Sequence, residues 1–354
     1  MNLKKNLMTQ NSLNNIDKIL LLCKKPGLTS FGSLGQVKKA IHSTKVGHTG
    51  TLDSFASGLL VVCCGRLTKL SALITGFDKT YEAVIEFGKE TDTLEYTGKI
   101  TKEGKLPTLE NLKKSIEKWT GTVDQIPPAF SAIHIDGKRA SGLARDGQSV
   151  VLPSRKITVF SADILETVIE NDFVKYARIS FTVSKGTYIR SLARDIAESA
   201  GSCAHLVGLY RKSVGSFKVE DSVFFNDSES FTIKSALDDR SLYFEIENSS
   251  VNNSKQPKER KPFEPKDLEA ICSSLIPFTP ELALECGMQV LYLKDLAALE
   301  DFFHGKPLKS KNFITSLHEL PLSCDAAVFT LEKDFTGVIS KNDVGKLSYS
   351  FVLN

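Results

Sequence analysis

The sequence predicts an α+β fold: a mixed β-sheet with helices around it, followed by a small, mostly-β unit at the C-terminal end. Strand and helix patterns are interspersed without a repeated βαβ unit, which argues against a doubly wound parallel sheet. Residues 247–266 (ENSSVNNSKQPKERKPFEPK) hold three prolines, a basic cluster and almost no apolar side chains, so they read as a linker or disordered insertion. The segments after them alternate mainly like strands. The expected units are a flexible tail over residues 1–18, a large domain over 19–246, the linker over 247–266 and a small domain over 267–354.

In chain order, residues 19–23 form a short apolar strand. Ser30 caps a helix whose core face is Phe31, Leu34, Val37 and Ile41. Residues 47–58 (GHTGTLDSFASG) are rich in Gly, Ser and Thr and read as a loop, and 59–64 as a buried strand. Leu67, Leu70, Leu73 and Ile74 mark a helix stopped at Gly76. Tyr81, Ala83, Ile85 and Phe87 alternate with Glu82, Val84 and Glu86, a strand pattern. Thr108 caps a helix with the face Leu109, Leu112, Ile116 and Trp119. Pro127 and Pro128 break the chain before a strand at 130–135, and Asp136 with Gly137 signals a turn. Phe173, Ala177, Ile179, Phe181 and Val183 line one face of a long strand. Ile189, Leu192, Ala193, Ile196, Ala197 and Ala200 fit a helix face stopped at Gly201. Beyond the linker, strands are expected at 288–293, 326–331, 335–339 and 347–353, with a helix at 295–303.

Composition narrows the function. With 354 residues, 41% hydrophobic and 25% charged, the chain is neither collagenous, mucin-like nor wholly disordered. No apolar run approaches the roughly 20 residues a membrane span needs, and no secretory pattern opens the chain. The seven cysteines are odd in number and lack C-x-x-C spacing, so a reduced, cytoplasmic protein is expected. Up to Phe225 there are 31 Lys and Arg against 22 Asp and Glu, a net +9, and the rest carries −6. A basic first two-thirds suits a polyanionic partner, although a solvated surface would look the same.

Chemistry-bearing residues fall in a few places. Asp53 lies on the Gly-rich loop before an apolar strand, with His48 nearby; locally both also read as ordinary turn residues. Residues 184–190 (SKGTYIR) turn from strand to helix and bring Lys185, Tyr188 and Arg190 to one end. Arg190 and Arg194 share a helix face. An Arg there can pair with a carboxylate and an aromatic can stack on a base. Lys79, Thr80 and Tyr81 open a strand. Phosphate-loop, serine-hydrolase and histidine-metal motifs are absent.

Residues 45–65 (KVGHTGTLDSFASGLLVVCCG) closely resemble the catalytic motif of the TruB family of tRNA pseudouridine synthases. The resemblance runs on in order: Lys25-Pro26-Gly27 with Thr29-Ser30, at slightly tighter spacing; Lys79-Thr80-Tyr81 with Phe87-Gly88 and Thr91-Asp92-Thr93; Ile126-Pro127-Pro128 with Phe130-Ser131; residues 184–190, Ala204-His205 and 209–211. It spans about residues 19–215 and looks bacterial in type. It implies a mixed-sheet pseudouridine synthase catalytic fold with a C-terminal domain that is PUA-like in many members. It also implies isomerisation of uridine at position 55 in the T loop of tRNA, without cofactor, metal or guide RNA, by a monomer that binds the tRNA T arm.

The same resemblance assigns roles. Asp53 is the nucleophile or stabilising carboxylate, which must be ionised, and Arg190 is its partner. Tyr81 stacks on the flipped base, Tyr188 faces its other side and assists proton removal from C5, and Leu209 lines the pocket. His48 wedges beside the flipped nucleotide, and Lys24 and Lys25 support the cleft. One departure stands out: Ser54 follows the aspartate where the family usually has Pro. Rival readings are a binding module that lost catalysis and an RNA-guided synthase.

Overall fold

A computed structural model of the protein describes residues 16–131, 133–135, 137–148, 152–226, 230–252 and 265–353. The strands are β1 (Ile19–Lys24), β2 (Val46–His48), β3 (Ser57–Cys64), β4 (Lys79–Phe87), β5 (Lys89–Thr91), β6 (Ile100–Glu103), β7 (Gly121–Gln125), β8 (His134–Ile135), β9 (Lys138–Arg139), β10 (Arg155–Glu170), β11 (Phe173–Val183), β12 (Ala204–Val214), β13 (Phe217–Lys218), β14 (Leu275–Ile276), β15 (Gln289–Tyr292), β16 (Cys324–Phe329), β17 (Phe335–Lys341) and β18 (Leu347–Val352). The helices are α1 (Ser30–Ala40), α2 (Ser71–Thr75), α3 (Leu109–Lys118), α4 (Ala140–Arg145), α5 (Ile189–Ser199), α6 (Ile233–Asn252), α7 (Pro265–Ser273), α8 (Pro280–Glu285) and α9 (Leu296–Phe303).

The main sheet runs β14-β1-β3-β12-β4-β11-β10-β7, with β2 and β13 attached to β3 and β12. β12 lies parallel to β3 and antiparallel to β4, which makes the sheet mixed, as expected. Its centre is covered on both faces. On one side α5 packs its face of Ile189, Leu192, Ala193, Ile196 and Ala197 against Ala83, Ile85, Ala177 and Ile179. On the other, Ile233 and Ala236 of α6 meet Val84 and Val207. Burial on both faces explains why Glu82 and Glu86 of β4 are enclosed instead of solvated. Arg178 and Arg240 pair with them at 2.7 and 2.6 Å. Gly201 ends α5 with φ +76, a conformation easy only for glycine.

Several local expectations are corrected. Thr29, not Ser30, caps α1, its hydroxyl accepting from the Gly32 N–H at 2.9 Å. Phe31 leaves the core face and is 71% exposed. β2 and the start of β3 take both ends of the Gly-rich segment, so the true loop is residues 49–56. The strand expected at 130–135 shrinks to β8; residues 132 and 136 lie outside the described residues. β10, 16 residues long, was not anticipated because its outer positions mix Phe, Asp, Thr and Glu without clean alternation. Phe173 is exposed, and Val174 beside it is buried.

The proposed boundaries also shift. Residues 16–18 belong to the packed structure: Asp17 pairs with Arg66 at 2.8 Å and the Lys18 carbonyl accepts from Cys64. Residues 1–15 and 253–264 lie outside the described residues. α6 continues through Asn252 and α7 starts at Pro265, so helix occupies both ends of the expected linker. α7 and β14 pack on the main sheet through Ile271 and the β1 pairing. The C-terminal sheet, β15-β16-β17-β18, is the small mostly-β unit. β16 uses its period of two: Ala327 and Phe329 face Leu21, Leu59 and Val61 of the main sheet, and Ala326 and Val328 face Ala298 and Phe302 of α9.

Candidate active site

Asp53 stands on the loop of residues 49–56, and three buried polar groups hold that loop. The Ser30 hydroxyl donates to the Leu52 carbonyl at 2.9 Å and accepts from the Leu52 N–H at 2.8 Å. Lys24, 1% exposed, donates to the carbonyls of Leu28 at 2.7 Å and Ser54 at 3.3 Å. Burial lowers the Lys24 ammonium to about 8, opposed in part by Asp53. Arg211, also 1% exposed, donates to the Leu59 carbonyl at 2.7 Å and the Gly50 carbonyl at 3.3 Å. Gly58 makes this approach fit. Its φ is +100, and a Cβ there would lie 2.5 Å from the Arg211 carbonyl oxygen.

Ser54 answers the departure from Pro. Its carbonyl accepts from the Gly27 N–H at 2.8 Å as well as from Lys24, so the turn is pinned through backbone groups. Lys24 is therefore the inward lysine of the opening motif, whereas Lys25 is exposed.

Arg190 reaches Asp53 from the first turn of α5. Its Nη2 donates to Asp53 Oδ1 at 3.1 Å and its Nε lies 3.0 Å from Oδ2. The Nε–H is not aligned with that oxygen, so the second contact is Coulombic. The guanidinium is 5% exposed and also donates to the carbonyls of Thr93 at 2.9 Å and Phe130 at 3.0 Å. The Thr-Asp-Thr and Pro-Pro blocks thus serve to aim one arginine. The Asp53 side chain is about one-third exposed and remains open toward a ligand.

Tyr188 caps the start of α5, where Gln125 grips its backbone. The fully buried Gln125 amide donates to the Tyr188 carbonyl at 3.1 Å and accepts from its N–H at 2.9 Å. The Arg155 guanidinium lies over the Tyr188 ring, 4.6 Å from its centroid, and donates to the Gly186 carbonyl. Tyr81 and Leu209 share one apolar cluster with Leu52, Phe55 and Ile189, so the residues flanking Asp53 and Arg190 pack with them. His48 is half-buried on β2, and burial and Arg211 lower its pKa, favouring neutral imidazole. His205, part of another matched block, sits at the opposite end of β4 beside Glu86.

Glu95 escaped the sequence reading. Burial, and then Asp53, raise its carboxyl to about 7, and Thr97 donates to it at 2.7 Å. It comes close only because the chain turns through Leu94 at φ +60, which no local pattern announces. Among the described residues, no three His, Cys, Asp or Glu side chains are grouped to hold a metal ion, and no helix is long and apolar enough to cross a membrane. All seven cysteines are free; burial pushes the Cys63 and Cys64 thiols up to about 12.

Residues 38–189 match the family model described as TruB family pseudouridylate synthase, N-terminal domain. A tRNA pseudouridine synthase B of Treponema denticola is 40% identical over 317 residues, 85% of this chain and 87% of that one. The chain belongs to the TruB family. A relative of the same name from Borreliella burgdorferi is 43% identical over 57% of this chain and 71% of its own. As a TruB-family member, the protein is a pseudouridine synthase, an RNA-modifying isomerase. Its fold is similar to a solved chain of a Cbf5–Nop10–Gar1 complex, with TM-score 0.61 and 22% identity over 96% of this chain and 86% of that one. An archaeal box H/ACA Nop10–Cbf5 complex gives TM-score 0.59 at 20% identity, over 97% and 88% of the two chains.

Proposed function

We propose that this TruB-family enzyme isomerises uridine to pseudouridine at position 55 in the T loop of tRNA, unaided by a guide RNA. The observation that carries the reading is the Asp53–Arg190 pair beside the apolar cluster that holds Tyr81 and Leu209. The uridine must leave its stack before its reacting atoms are accessible. Tyr81 stacks on the extruded base, and the Asp53 carboxylate promotes cleavage of the glycosidic C–N bond. The base then rotates and C5 bonds to the ribose. C5 gives up its proton, with Tyr188 assisting, and the ring nitrogen that left the ribose gains one. Nothing is oxidised or reduced.

The test is tritium release from a T-arm hairpin labelled at uridine C5, with no added RNA. Wild type is expected to release tritium. Asp53→Asn is expected to release none while binding the hairpin within about tenfold of wild type. A hairpin with cytidine at position 55 is expected to be inert. Binding without release by wild type would favour a binding module or a guided enzyme instead. Near-normal release by Asp53→Asn would remove the carboxylate from its role.

A further inference from the structure

The chain holds no Asp or Glu between Asp17 and Asp53, yet six lysines fall in that interval: Lys18, Lys24, Lys25, Lys38, Lys39 and Lys45. Lys24 is consumed inside the fold, but Lys25, Lys39 and Lys45 are exposed and Lys38 is half-exposed. In this acid-free stretch of chain stand two large apolar side chains that the core does not use. Phe31 is 71% exposed and Leu28 is 49% exposed. They are three residues apart, at the lip where the opening turn becomes α1. The Lys38 ammonium lies 4.6 Å from the Phe31 ring centroid, about two turns along α1.

This lip is fastened to the catalytic loop. Leu28 gives its carbonyl to Lys24, which also holds Ser54. Gly27 donates to Ser54, and Ser30 holds Leu52. The residues before and after Asp53 are thus bonded to the segment that presents Leu28 and Phe31. This segment offers an RNA strand at the site exposed lysines and an aromatic ring.

We propose that Phe31, with Leu28 beside it and Lys38 behind the ring, is a stacking platform for an unpaired base of the substrate RNA near the modified uridine. The charge pattern selects the occupant. A neighbouring base brings a phosphate to Lys25 and Lys38, whereas an apolar protein partner would leave those lysines unpaired. Stacking of this kind tolerates any base, so the platform adds affinity and orientation without sequence preference. The proposal rests on the reading of the site as an RNA-modifying centre and adds a contact outside the reacting residues.

The experiment compares wild type, Phe31→Ala, Phe31→Trp and Lys38→Gln on the T-arm hairpin, by tritium release and by direct binding at several salt concentrations. Phe31→Ala is expected to raise KM and Kd about 5- to 30-fold with kcat within twofold of wild type. Phe31→Trp is expected to restore both constants. Lys38→Gln is expected to reduce the slope of log affinity against log salt by about one phosphate's worth. The ring is on the surface, so thermal unfolding of the variants should match wild type and exclude misfolding. KM and Kd within twofold of wild type for Phe31→Ala would overturn the platform. If wild type bound the hairpin but released no tritium, the catalytic reading would fail, and the binding comparison would still decide the platform. If wild type did not bind the hairpin, both would fall.

Discussion

Glu95 shows at the scale of one residue how much of the site depends on environment. Its carboxyl titrates near 7 in the folded chain against an ordinary 4.5, raised first by burial and then by Asp53. A folded pKa above the unfolded one means that the neutral form favours folding. That contribution is full below about pH 4.5 and is lost as the pH rises through about 7. Glu95→Gln keeps the shape and removes the charge. Its melting temperature is expected to match wild type near pH 5 and to exceed it at pH 8. A difference that did not grow with pH would show that Glu95 does not titrate in this range. Asp53 and Arg190 could be found in the sequence because each lies in a motif. Glu95 could not, since its neighbours are set by a turn through a left-handed leucine.

At the scale of elements, the loop carrying Asp53 and the helix carrying Arg190 are held by different devices. Gln125 acts as a peptide surrogate that binds both backbone groups of Tyr188 and so sets where α5 begins. Gln125→Ala leaves the part-buried Tyr188 N–H unpaired, while the Tyr188 carbonyl keeps the Leu192 N–H, and is expected to cost about 1–3 kcal/mol in urea unfolding. Its kcat should fall more than its RNA affinity, because α5 aims Arg190. A loss of affinity alone would mean that α5 serves binding only. Gly58→Ala meets the Arg211 backbone and a positive φ together, and is expected to lower stability by about 2 kcal/mol or more. An unchanged urea midpoint would show that β3 and β12 can slide apart to admit a methyl group. Local periodicity foresaw α3, α5 and β4 well. It misplaced the cap of α1, because Thr29 and Ser30 are both competent and only the Ser30 contact with Leu52 decides between them.

At the scale of the whole molecule, the C-terminal sheet and the catalytic sheet share a core. Phe278, Phe329, Val338 and Phe351 lie in one cluster with Leu21, Leu59 and Val61. Two units joined this way are expected to unfold together. Phe278→Ala is expected to cost about 3–5 kcal/mol and to shift a single transition seen by circular dichroism and by Trp119 fluorescence. Trp119 lies on the catalytic side, so two separated transitions would show that the units are independent. The charge asymmetry also acts at this scale. RNA affinity should fall linearly with salt on logarithmic axes, and a flat dependence would remove the phosphate contacts from the account.

By itself, the sequence determined the family and the strongly periodic elements, and it singled out Asp53 and Arg190, which the fold pairs. These are written in residues close together, or in blocks whose order along the chain is enough. Tertiary structure decided that Lys24 and not Lys25 turns inward, that Ser30 clamps a loop instead of capping a helix, and that Glu95 joins the site. It also decided that a 16-residue strand forms where alternation is poor and that the small sheet docks through one face. The physical reason is that periodicity specifies which face of an element is apolar but not what will cover it. Contacts such as Arg190 to Asp53, 137 residues apart, arise only when the sheet brings its strand ends together.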